Sequence, residues 1–179
     1  MEKIFAVGLT VLIALTLFTK QTYAFTASPS ATPTTIPLVR DNRVKILKEY
    51  FKQYDSPLVD SAATFVQAAD ANQLDWKLVA AISGVESTFG HHIPYNSYNA
   101  WGWGVYGDNV IRFTSFDHAV LTISKGLRAN YYNKGAETVY DVGRIYAASP
   151  TWAQKVTFFM EKIDAFSQNN LSQSLSLTI

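Results

Sequence analysis

Apolar side chains recur at three- and four-residue steps in six stretches of the chain, and this spacing predicts helices. Asp41 can cap the first, in which Val44, Leu47, Phe51 and Tyr54 form the stripe and Lys45, Lys48 and Lys52 face outward. Ser56-Pro57 opens the second, through Val59, Ala62, Phe65, Val66 and Ala69, and Asp75 the third, through Leu78, Val79, Ile82, Val85 and Phe89 to Gly90. Ser115 opens a fourth to Tyr131, a fifth spans about Glu137 to Ala147, and Ser149-Pro150 opens a sixth through Trp152, Val156, Phe159, Ile163 and Phe166. Val110 to Phe113 is strand-like, enough for one short hairpin at most. The pattern therefore predicts a mainly α domain over 38–166, followed by a flexible Ser, Gln and Asn-rich tail at 167–179.

The pattern fails between the third and fourth helices. Residues 95–107 hold Tyr95, Tyr98, Trp101, Trp103 and Tyr106 among Gly102, Gly104 and Gly107, with Asn96 and Asn99. Long irregular connections are functional or disordered more often than merely structural, and large aromatics argue against disorder. Flat aromatic faces suit the apolar faces of sugar rings, and amides suit hydroxyl and acetamido groups, so the cluster reads as a binding surface. For any single Trp, a place in the core is the alternative.

The N-terminus differs in kind. Ile4 to Phe18 carries no charge and leads to Thr22-Tyr23-Ala24, which reads as a secretory signal peptide, 1–24, cleaved after Ala24. The uncharged run is shorter than the roughly 20 apolar residues that span a bilayer, so no stable membrane insertion is expected after cleavage. Pro29, Pro33 and Pro37 among Ser, Thr and Ala make 25–37 a linker. Export places the domain in the periplasm, at the cell wall or outside the cell. The whole chain carries a formal charge of +1, and loss of Glu2, Lys3 and Lys20 leaves it neutral. That balance excludes nucleic acid as an electrostatic partner. With no cysteine in 179 residues, the domain depends on its apolar core even in an oxidising compartment. A monomer is expected.

Glu86 follows Ile82 by four residues and Val79 by seven, which puts its carboxylate on or beside the apolar stripe. Partial desolvation there raises its pKa, as a general acid donating to a departing sugar oxygen requires. The alternative is a boundary glutamate satisfied by a helix-end amide or an arginine. His91, His92 and His118 lack metal-site spacing, so no metal and no cofactor are expected.

These residues also carry a family resemblance. Val85-Glu86-Ser87-Thr88-Phe89-Gly90 resembles the Glu-Ser-x-aromatic-Gly segment of bacterial cell-wall N-acetylglucosaminidases of the flagellar muramidase type, which sit in the lysozyme-like superfamily with the soluble lytic transglycosylases. Asn99-Ala100-Trp101-Gly102 is similar to their Asn-x-aromatic-Gly segment, and Arg112 to Phe116 with Ala119 resembles, less closely, the stretch into their next helix. Tyr146-Ala147-Ala148-Ser149-Pro150-Thr151-Trp152-Ala153-Gln154-Lys155-Val156 is similar to their Tyr-Ala-Thr-Asp-Pro-x-Tyr-Ala-x-Lys-Ile, with Ser149 in place of Asp and Trp152 in place of Tyr. The matches lie in order between about Leu74 and Ile163.

The resemblance implies a lysozyme-like helical domain that hydrolyses β-1,4 bonds in peptidoglycan glycan strands, with Glu86 as general acid and Tyr146 in the catalytic cleft. Ser87 would hold the sugar or the Glu86 carboxylate, or serve as a helix-end hydroxyl. Tyr98, Asn99, Trp101 and Trp103 are the candidate substrate-binding residues. Many glycosidases use a second carboxylate. Asp108 is the foremost candidate, since Asp117 reads as a first-turn acid and Asp141 as a solvated charge. Without one, the substrate's N-acetyl group could assist, or a lytic transglycosylase could cleave with the sugar's own hydroxyl. A non-catalytic peptidoglycan-binding module is the reading from another class.

Overall fold

The computed structural model describes residues 41–176 except Tyr106 and Asp108, with side chains as far as Asn170. The signal peptide, the linker and Asp108 lie outside the described residues. Among those described, six α-helices appear and no strand: α1 (Arg43–Lys52), α2 (Ala62–Ala71), α3 (Leu78–Ser87), α4 (Phe116–Asn130), α5 (Val139–Tyr146) and α6 (Trp152–Ser176). Residues 110–113 form no hairpin; the Phe113 amide instead donates to the Ser97 carbonyl at 2.8 Å and closes the long loop.

Three helix starts follow the expected caps, the first through Asp41 Oδ1, which accepts from the Arg43 amide at 3.1 Å before α1; the cap of α5 was not among those expected. Ser115 Oγ accepts from the His118 amide, and Asp75 Oδ1 from that of Lys77 just before α3. Thr138 and Asp141 cap α5 reciprocally, each side chain accepting from the other's backbone amide. Asp141 is thereby occupied, and it also pairs with Arg144; hydrogen bonds from Thr138 and charge pairing lower its pKa to about 2. The second helix starts later than its cap suggests. Val59–Ser61 is a single 3-10 turn before α2, and the Ser56 hydroxyl caps the approach to that turn, accepting the Leu58 amide at 3.0 Å while donating to the Phe89 carbonyl at 2.7 Å. At the far end, α6 continues to Ser176, where an irregular tail from Ser167 was expected.

The largest departure concerns α3. An amphipathic helix with one apolar stripe was expected, but Leu78 to Gly84 are all buried, including Ala80, Ala81, Ser83 and Gly84. Small residues are indifferent to a hydrophobic pattern, and here they let neighbours approach from every side. Helix α6 packs along α3, while α1 bridges α2 and α6. Lys77 at the start of α3 reaches Asp164 of α6 at 2.6 Å. Phe89 occupies the space over Gly84 and meets Tyr50, Phe51, Tyr54 and Phe159 ring to ring. The helix that carries Glu86 is thus the central rod of the domain.

Candidate active site

Only the last turn of α3 emerges from the core, and Glu86 stands on it. The helix ends abruptly: Thr88 (φ 53°), Phe89 (φ 56°) and Gly90 (φ 90°) are all left-handed. For Thr and Phe this conformation costs roughly 1–2 kcal/mol each. Burial of Phe89 and the bond from Ser56 to its carbonyl hold the turn in place. Ser87 completes the tie. Its hydroxyl accepts from the Gly90 amide at 2.9 Å and donates to the Ala100 carbonyl at 2.8 Å or to that of Ser83 at 3.0 Å. At 3% exposure it is a clamp between helix end and loop, and holds neither sugar nor the Glu86 carboxylate.

The aromatic loop is ordered from inside. Asn99, 1% exposed, donates through Nδ2 to the carbonyls of Trp103 (2.8 Å) and Ile111 (3.0 Å) and accepts the Trp103 amide at Oδ1 (3.0 Å). Its amide is consumed by the loop, so it shapes the site without reaching ligand. Trp101 is enclosed at 0% exposure; its indole donates to the Val79 carbonyl at 2.8 Å and packs near Phe65. The expected sugar-facing role does not hold for its side chain. An indole suits a core and a sugar face equally, and here its N–H is satisfied inside the core by a backbone carbonyl of α3. Tyr98 is at the surface, edge-on to Phe116 at the start of α4. Only Trp103 of the four lines the groove beside Glu86.

That groove, of about 290 Å³, runs along Gly102, Trp103, Gly104, Tyr131, Ile145 and Tyr146. The Trp103 indole lies over Gly126 of α4, where a Cβ would come within 2.5 Å of the ring. The rings of Trp103, Tyr131 and Tyr146 are mutually within 5.9–6.3 Å and form an aromatic wall. Tyr146 donates its hydroxyl to the Trp101 carbonyl at 2.7 Å. Burial, with the Glu86 charge nearby, pushes that hydroxyl well above an ordinary phenol. It remains a proton donor to the backbone at neutral pH, fixing the peptide that precedes Gly102.

Gly102 (φ 61°) brings this backbone against Glu86, and a Cβ here would sit 3.2 Å from Oε2. The other oxygen, Oε1, accepts the indole N–H of Trp152 at 2.6 Å. Trp152 is 3% exposed and stacks on Tyr146 at 4.7 Å and 22°. Surrounding protein raises the pKa of Glu86 by desolvation, and the Trp152 donor opposes that rise, while part of the residue stays open to solvent. Among the described residues, no other carboxylate perturbs it. Asp117 is exposed at the start of α4, and Asp141 is held in its cap. Pattern reading passed over Trp152 and Gly102 as active-site groups. The one available signal was Trp152 itself, an aromatic replacing the aromatic of the resembled motif.

No family model matches the chain, and no curated protein matches it in sequence. Solved structures do. A catalytic glutamate-to-alanine mutant of S. aureus autolysin E, in complex with the disaccharide NAG-NAM, is 16% identical with a TM-score of 0.59, over 71% of this chain and 68% of that one. The same enzyme in complex with the muropeptide NAM-L-Ala-D-iGlu is 18% identical with a TM-score of 0.57, over 71% and 68%. A further structure of autolysin E gives 18% and 0.57, over 71% and 67%. Together with the helical architecture, this likeness shows that the chain has a lysozyme-like helical fold, the fold of S. aureus autolysin E.

Proposed function

We propose that the protein is an exported glycoside hydrolase that cuts β-1,4 bonds in peptidoglycan glycan strands, as an endo-β-N-acetylglucosaminidase, with Glu86 as general acid. The observation that carries this reading is a carboxyl whose pKa is raised by desolvation, set where an aromatic-walled groove opens beside Gly102. The fold neighbours in complex with NAG-NAM and a muropeptide supply the substrate class. Export rests on residues 1–24.

In this reading a glycan strand lies against Trp103, Tyr131 and Tyr146. Glu86, protonated before reaction, gives its proton to the departing glycosidic oxygen as the bond to the anomeric carbon breaks. Preorganised backbone matters here because Gly102, Tyr146 and Ser87 hold the carboxyl and the groove in one geometry. Water then adds at the anomeric carbon and its proton returns to Glu86.

No second carboxylate acts on Glu86 among the described residues. Assistance by the substrate's own N-acetyl group is one route that needs no protein nucleophile. A lytic transglycosylase is another, in which a hydroxyl of the sugar replaces water and the product is a 1,6-anhydro-muramic end. Incubation of sacculi with wild-type protein and with Glu86→Gln tests the proposal. The expected result is soluble fragments from the wild type alone, ending in reducing N-acetylglucosamine by mass spectrometry. Anhydro ends would move the protein to the transglycosylases. Tight binding without cleavage would make it a binding module, and equal release by both proteins would remove Glu86 as the acid.

A further inference from the structure

The two oxygens of Glu86 are not equivalent. Oε1 faces Trp152 at 2.6 Å, and Oε2 lies against Gly102, a residue that lines the groove. An indole N–H can donate and never accept. A phenol or hydroxyl in its place could rotate and accept a proton from the acid, but the indole cannot.

We propose that Trp152 is a positioning residue that keeps the exchangeable proton of Glu86 on Oε2, the oxygen against Gly102, by presenting Oε1 with a donor that cannot reverse. The inference rests on Glu86 being the acid, and deepens that reading by assigning which oxygen delivers the proton. With Oε1 acting as acceptor in both protonation states, the neutral acid keeps its carbonyl toward Trp152 and its hydroxyl toward Gly102, which lines the groove. The alternative neutral form, with the proton on Oε1, offers the indole only an acid hydroxyl, a poorer acceptor than the carbonyl oxygen, across the 2.6 Å contact, or turns two hydrogens against each other there.

The indole is itself held in place. One face stacks on Tyr146, and its six-membered ring lies against Gly143 of α5, where a Cβ would be 3.0 Å from Cε3. Tyr146 is anchored in turn through its bond to the Trp101 carbonyl. The chain from Trp101 through Tyr146 and Trp152 to Glu86 therefore returns to Gly102, the residue that Oε2 faces. A rotation of the carboxyl would have to displace a buried indole.

The test follows the Trp152 indole proton by NMR through a pH titration of the free protein, assigned by its absence in Trp152→Phe. The expected result is a single small shift at the Glu86 inflection, with the indole proton still downfield and protected from exchange on the acid side. In Glu86→Gln it should remain downfield at every pH without that inflection, the amide oxygen taking the place of Oε1. Trp152→Phe should move the Glu86 inflection upward, because a donor to the carboxylate has been lost, and lower kcat roughly tenfold with little change in KM. Movement of the wild-type indole signal to a free position below the inflection would place the proton on Oε1 and overturn the proposal. So would an inflection unmoved in Trp152→Phe. The indole titration requires no substrate, so its failure is distinct from failure of the sacculus assay, which alone bears on the glycosidase reading.

Discussion

Replacing Gly102 by alanine separates backbone strain from contact with the acid. The residue has φ 61°, a left-handed conformation that costs an L-residue roughly 1–2 kcal/mol. The new Cβ would lie 3.2 Å from Glu86 Oε2 and 3.8 Å from the carboxyl carbon. Oε2 must yield by a few tenths of an ångström, but Oε1 is held at 2.6 Å by a buried indole, so the group cannot turn freely. Gly135 provides the control: with φ 97° and nothing within 4 Å of a Cβ, alanine there imposes strain alone. Urea denaturation should show both variants losing about 1–2 kcal/mol. Solubilisation of sacculi should fall roughly tenfold or more for Gly102→Ala, since small misplacements of a catalytic group are costly, and stay at the wild-type rate for Gly135→Ala. Equal activity in the two variants would refute the claim that Gly102 governs access to Glu86.

Two further outcomes can be checked on the folded protein. Glu86 has its pKa raised by desolvation, so the folded state binds this proton more tightly than the unfolded chain and stability falls as pH rises from the ordinary glutamate value through the folded one. Glu86→Gln should therefore melt at a higher temperature than wild type at neutral pH, the difference disappearing below the ordinary glutamate pKa; a lower melting temperature at neutral pH would contradict the desolvation. Ser87→Ala removes the acceptor of the buried Gly90 amide and a donor to the Ala100 carbonyl, and should cost about 1–3 kcal/mol in thermal denaturation, against near neutrality if the hydroxyl were merely solvated.

The helices were legible because burial on one side imposes a 3.6-residue period, and α1, α4 and α5 follow it closely. The same rule misjudged α3, whose Ala, Ser and Gly positions carry no hydropathy signal but are buried because neighbours can approach them. Ser56 looked like a cap and accepts the Leu58 amide as one, but it is also a buried link to the Phe89 carbonyl beyond α3, which a linear pattern does not contain. Residues 95–107 were recognisable as a special loop, yet their roles were not. Asn99 and Trp101 turned inward and Trp103 lined the groove, a sorting set by backbone partners that a linear pattern does not contain.

By itself the sequence determined that the described domain is helical, that a long aromatic loop interrupts it, and that Glu86 is a carboxylate at the edge of apolar surroundings. Each of these depends on local spacing or composition. Tertiary structure alone decided the chemistry around that carboxylate: Trp152, 66 positions away, donates to one oxygen, and Gly102, which lines the groove, lies against the other. The direction in which a carboxyl presents its proton depends on where donors lie in three dimensions, and only the packing of α5 and α6 beside the end of α3 brings those donors together.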